Sequence, residues 1–191
     1  MRALPWLTLV FLWTGCAATS RTAAPEVRLR SPSAAPPFRY RQEVTVAYGE
    51  EAPRSFEAVL ENTGDALRLV GLTPLNTVLF VVELAGGEVT FENRTGEALP
   101  FDPSYILRDV QRAFFPWLEG GEGQDGARRG RVAGVKVLER YEGGRLIERV
   151  FFRPGAPPVR ARYGRDTSSP VVRLVDPELD YRLEIRTFAP P

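Results

Sequence analysis

The chain has 191 residues, 43% of them hydrophobic and 26% charged, with 25 basic against 24 acidic side chains. That is the make-up of a single globular domain, and a formal net charge of +1 argues against a nucleic-acid partner. With no histidine and a single cysteine, Cys16, the sequence excludes a Ser-His-Asp or Cys-His site, a Cys/His metal centre and an intrachain disulfide. The expectation is a non-enzymatic monomer with no cofactor and no metal.

Met1-Arg2 is a short positive start, and Ala3 to Trp13 is almost wholly apolar. This run has the length of a secretory h-region and is too short to span a bilayer as a stable helix. It ends in Trp13-Thr14-Gly15-Cys16, which resembles a bacterial lipobox, where a small residue precedes the lipidated cysteine. Trp13 stands where the lipobox prefers leucine, and Leu12 lies one place earlier. The resemblance implies a signal peptide over 1–15 and a mature N-terminus at Cys16 that carries palmitate-like acyl chains into a membrane. In enterobacterial sorting an Asp after the cysteine retains a lipoprotein at the inner membrane. Ala17 holds that place, which implies the outer membrane and a domain facing the periplasm. The alternative is an ordinary secretory signal cut near Ala17 or Ala18, leaving a free thiol.

Residues 16–41 are rich in Ala, Ser and Pro and show no helical or strand period, so they read as a flexible tether with a reach of about 25–30 Å. The folded domain is expected over 42–191. From Glu43 the pattern has period two. Val44, Val46 and Tyr48 alternate with polar residues, as do Phe56, Ala58 and Leu60, and Asn62-Thr63-Gly64-Asp65 is a turn signal. Leu67 and Leu69 lead through Thr73-Pro74-Leu75-Asn76 into Val78, Phe80, Val82 and Leu84; Ala85-Gly86-Gly87-Glu88 turns the chain back to Val89 and Phe91. The proline fixes its own φ and Asn tolerates a tight backbone, so Leu75 sits near a turn tip, where a polar residue is the default. This is an antiparallel meander of five strands.

One helix follows. Asp102 is a natural N-cap and Pro103 a natural first residue. Ile106, Val110, Phe114 and Trp117 fall on one side, while Arg108, Asp109, Gln111 and Arg112 face away, and Pro116 ends or kinks the element. Gly120 to Gly130 reads as a flexible loop. Strands resume near Val132–Tyr141, Leu146–Phe152, Val159–Tyr163, Val171–Val175 and Tyr181–Phe188, giving about ten in all. So many strands in one domain must curl into a barrel or split into two sheets. Asp176, Glu178 and Asp180 read as a connecting turn, since the alternating ligand pattern of a calcium loop is absent.

Leu72-Thr73-Pro74-Leu75-Asn76 resembles the Leu-Thr-x-Pro-Leu-Gly turn of the outer-membrane lipoprotein receptor LolB. The apolar strand, Gly-Gly hairpin, Ala-Leu-Pro segment and helix that follow keep the same order. The chain is more similar still to a group of uncharacterised LolB-like lipoproteins, through Val70–Asn76, Phe114–Pro116 and Tyr181–Thr187. Asn76 replaces the group's glycine, and no helix precedes the first strand. The resemblance to the LolA/LolB carrier superfamily implies a mainly β (α+β) fold, a half-open antiparallel barrel with a helix covering its mouth. It also implies an apolar cavity for lipid or lipoprotein cargo. Phe56, Leu60, Leu69, Phe80, Val82, Phe91, Ile106, Val110 and Phe114 are the candidate lining, and Leu75 the membrane-contacting tip. A filled core shows the same pattern, and a leucine tucked under the helix or singly exposed is the plain reading of Leu75. The rival function is a structural or assembly lipoprotein that acts through an envelope protein.

Overall fold

The computed structural model describes residues 28–96, 103–120, 123–166 and 170–188. The expected signal peptide over 1–15, the candidate lipidation site Cys16, the expected tether up to residue 27 and the expected N-cap Asp102 lie outside these. Eleven strands form one antiparallel sheet: β1 (Phe38–Tyr48), β2 (Arg54–Asn62), β3 (Ala66–Leu72), β4 (Val78–Ala85), β5 (Glu88–Asn93), β6 (Gly126–Val132), β7 (Val135–Glu142), β8 (Arg145–Arg153), β9 (Ala156–Tyr163), β10 (Val171–Asp176) and β11 (Tyr181–Phe188). The order is β5-β4-β3-β2-β1-β11-β10-β9-β8-β7-β6. Two meanders are thus joined by one pairing distant in sequence, β1 with β11. The sheet is not closed into a barrel, since β5 and β6 remain its two edges.

Because β5 and β6 are consecutive in sequence yet at opposite edges, the connection between them crosses the sheet. It carries the helix α1 (Ser104–Phe114). This helix touches both β4 and β10, which stand five strand positions apart. In a flat sheet that is roughly 24 Å, about twice the width of a helix. The sheet therefore curls round α1. Burial agrees: Leu107, Val110 and Ala113 are buried on one side, and Asp109, Gln111 and Arg112 on the others. The expected solvent-facing polar side does not exist, and α1 fills the curl instead of covering a mouth. The helix stops at Phe114, before Pro116, so Trp117 leaves the helical stripe. Its indole Nε1 donates to the Gln111 carbonyl at 2.9 Å and its ring meets Phe151 edge-on at 4.8 Å.

Two boundaries differ from the sequence expectation. The sheet begins at Phe38, and residues 28–37 are held against it. The side-chain amide of Gln111 accepts from Arg30 N–H at 2.8 Å and donates to Arg30 C=O at 2.7 Å. Asn62 Nδ2 lies 3.1–3.2 Å from the carbonyls of Pro32, Ala35 and Pro36. These residues are thus part of the domain, not of a tether. The expected loop at 120–130 contains the start of edge strand β6. Its inward positions include Arg128 and Gly130, opposite Glu139 and Val137, so no apolar alternation marks it.

The inward face of β1–β5 is built in cross-strand rows. Tyr40, Leu60, Leu69, Val82 and Phe91 lie side by side, and Gln42, Ala58, Gly71, Phe80 and Asn93 form the next row. Gly71 exists for its neighbour, because a Cβ there would stand 2.4 Å from the Phe80 ring. Gly71→Ala is expected to push Phe80 off its seat and cost about 1–3 kcal/mol. Urea unfolding followed by near-UV circular dichroism measures this, and an unchanged midpoint would contradict the packing described.

Candidate functional site

Round α1 the interior has one wholly apolar side and another where an ionic cluster lies beside a second apolar core of Val137, Phe151, Val159, Leu174 and Tyr181. On the apolar side all nine candidate lining residues join one cluster: Leu60, Leu69, Val82 and Val110 are buried, while Phe56, Phe80, Phe91, Ile106 and Phe114 are half-buried and pack on them. Phe56 and Phe80 meet edge-on at 5.6 Å, Phe80 and Phe91 are tilted at 6.1 Å, and Phe114 lies 5.8 Å from Tyr40. Phe38 and Tyr40, stacked at 4.9 Å, belong to the same surface but fall in the stretch read as tether.

Exposure along the inward face has a direction. In β2 the inward side chains pass from buried Leu60 and Ala58 to half-buried Phe56, and in β4 from buried Leu84 and Val82 to half-buried Phe80. Both run toward the rim that holds the turns at 49–53, 73–77 and 177–180. The apolar face is therefore least covered toward that rim. Leu75 stands on it 88% exposed, and Leu179 on the 177–180 turn is 42% exposed. The 73–77 turn is firmly made. Thr73 Oγ1 accepts from Leu75 N–H at 3.2 Å and Thr77 N–H at 3.1 Å, and Asn76 takes a left-handed φ of 59°. Asparagine is one of the few residues that tolerates this conformation, which explains how it stands in for glycine. With its backbone bonded this way, Leu75 is held outward; it is not tucked under the helix.

The ionic side went unread in the sequence. Asp109 and Arg112 of α1 pair at 2.9 Å, and Arg108 Nε lies 3.3 Å from the same carboxylate. Fully buried Asp176 of β10 receives Arg153 at 2.8 Å, with Arg108 and Arg112 each 3.7 Å away. Deeper in, buried Glu139 and Arg149 pair at 2.7 Å across β7 and β8, and Arg149 Nη1 donates to the Arg112 carbonyl at 2.7 Å. Burial holds the Asp109 carboxyl above its usual range against the pull of Arg108 and Arg112. It likewise draws Arg112 down to about 10 against the pull of Asp109. The Tyr163 hydroxyl, raised to about 12 by burial, donates to the Ala113 carbonyl at 3.0 Å. Asp176, expected in a connecting turn, is thus the last residue of β10 and reaches the helix arginines. An open depression of about 370 Å³ lies between Leu118, Glu119, Arg128 and Arg129.

One antiparallel sheet curled round a central helix, with an apolar inner face that loses cover toward one rim, is the class of protein these features define. The chain belongs to the family described as protein of unknown function (DUF3261), whose family model matches residues 39–189. No match was found among curated proteins. Among solved structures the chain is similar to the crystal structure of a LolA superfamily protein from Nitrosomonas europaea, at 9% identity and a TM-score of 0.46. The match covers 83% of this chain and 88% of that one.

Removing the carboxylate of Asp176 leaves three guanidinium groups without their shared partner. Asp176→Ala is expected to lose about 3–5 kcal/mol of stability, read as a lowered urea midpoint with unchanged slope. A loss below about 1 kcal/mol would show that the cluster does not fasten α1.

Proposed function

We propose that this protein is a non-enzymatic lipoprotein of the outer membrane, facing the periplasm, that takes an acyl chain or a similar lipid-like molecule into its groove and passes it on. The observation that carries the reading is the graded opening of the apolar face: Phe56, Phe80, Phe91 and Ile106 are half-buried above a floor of buried Leu60, Leu69, Val82 and Val110. A ligand chain laid on those side chains removes apolar surface from water at about 25 cal/mol per Å². Lipidation at Cys16 keeps the domain at the membrane in this reading, and the exposed Leu75 turn touches the bilayer while cargo moves. The resemblance of residues 72–76 to the LolB turn supports that role. The helix acts as a fixed wall and not as a gate, because opening it would unpair buried charges.

The rival is an assembly lipoprotein with a filled core, favoured by the complete burial of four of the nine lining candidates. Uptake of a fluorescent fatty acid, with native mass spectrometry of protein purified without harsh detergent, separates the two. A carrier binds one chain, and Phe80→Ala weakens binding by about tenfold, corresponding to loss of part of one aromatic contact. Leu75→Glu should leave stability and uptake intact while slowing delivery to vesicles. No uptake and no co-purifying lipid would overturn the carrier reading and favour the rival; unfolding of Leu75→Glu would remove the tip role.

A further inference from the structure

The near-neutral net charge conceals a strong segregation across the outward face of the sheet. On β2–β5 the outward positions carry Glu57, Glu61, Glu83, Glu88 and Glu92 against Arg68 alone. On β6–β11 the sign reverses. One cross-strand row runs Arg129, Leu138, Val150, Arg160, Val175, Arg182 and holds no acid; its Leu138 and Val150 are buried, and its arginines are the exposed part. The next runs Arg140, Glu148, Arg162, Arg173, Glu184. A third, at the opening rim, runs Arg131, Lys136, Phe152.

The second row is frustrated within the fold itself. Arg162 and Arg173 stand directly opposite each other, both largely exposed, where like charges are destabilising. Glu184 serves Arg173 at 2.7 Å, but Glu148 is shared by Arg140, Arg160 and Arg162 at 3.2, 3.5 and 3.5 Å. Arg182 and Arg160 meet only Val175 between them along their row. The three rows together present eight cations against two carboxylates, and one of those, Glu148, is buried under the arginines.

From this we infer that the outward face of β6–β11 docks on the surface of a bilayer containing anionic phospholipid. Guanidinium groups bind phosphate oxygens through two parallel N–H bonds, so an array of arginines suits a layer of lipid phosphates. Two further features select a bilayer over an acidic protein. Phe152 and Val175 are exposed among the cations, at 43% and 37%, the arrangement in which apolar groups enter the acyl boundary while long basic side chains reach the headgroups. The third row lies at the same end of the strands as the turns that carry Leu75 and Leu179. The surface is separate from the groove, and its test does not depend on ligand uptake.

Co-flotation of the full chain with phosphatidylcholine vesicles, with and without about one-third phosphatidylglycerol, provides that test. Residues 1–27 are common to every arm, so any anchoring by that segment cancels in the comparison. The wild-type chain should bind the anionic vesicles at least about 100-fold more tightly, and 0.5 M salt should remove the difference. Arg160→Gln/Arg162→Gln/Arg182→Gln should weaken that binding by about 100-fold, the loss expected for three surface charges. Arg39→Gln/Arg41→Gln/Arg68→Gln makes the same change in net charge on the other half and should lose far less; circular dichroism checks that both variants are folded. Equal binding to the two vesicle types overturns the inference and leaves an acidic protein as the partner of this surface. An equal loss in the two triple variants also overturns it, since only net charge would then matter.

Discussion

Asp176 is removed from water and borders three guanidinium groups, two of them on the helix that fills the sheet. A carboxylate in that position is costly unless it is paired, and so are the arginines. Arg153 of β8 holds Asp176 from within the sheet, and Arg108 and Arg112 add their charge to it when α1 lies inside the curl with those side chains toward β10. The opposite stripe of the helix, Leu107 and Val110, then has to meet β4 and its neighbours. The charged contact thereby sets the rotation of the helix, and the rotation sets which inward residues become floor and which stay half-open. An apolar helix could fill the same space in several rotations, whereas one with a buried ionic stripe cannot.

The same constraint shapes the groove. With α1 inside the curl, half-buried aromatic surface gathers on the side of β2–β5, where Phe56 and Phe80 meet edge-on and Phe91 is tilted against Phe80. Gly71 gives Phe80 its place by leaving the space a side chain would occupy. Toward the rim the strands lose cover, and the 73–77 turn projects Leu75 into solvent. Its backbone is locked by Thr73, so exposure there is a property of the turn geometry.

Much of this was legible in the sequence wherever the inward face is apolar. Leu60, Leu69 and Val82 alternate cleanly, and the structure sets them side by side. The helix at Ile106–Phe114 was also legible from its apolar stripe. Its polar stripe was misread because periodicity reports which side is polar and not whether that side meets water; Asp176, Glu139 and Arg149, distant in sequence, turn it inward. Strand β6 was missed for a related reason, since Arg128 and Gly130 occupy its inward positions and make no alternation. Phe38 and Tyr40 do alternate, but the preceding Ala-Pro composition drew them into the tether. The clamp of Gln111 on Arg30 joins groups 81 residues apart, which local pattern does not reveal.

The central claim is that an apolar chain lies on the half-buried aromatic surface and enters from the Leu75 rim. Nuclear magnetic resonance with a spin-labelled fatty acid measures this directly through paramagnetic broadening. A label at the chain's tail is predicted to broaden Phe56, Phe80, Phe91 and Ile106 strongly, with Leu67 and Leu84 at the far end of the sheet affected least. Absence of broadening, or broadening centred on the outward face of β6–β11, would contradict it.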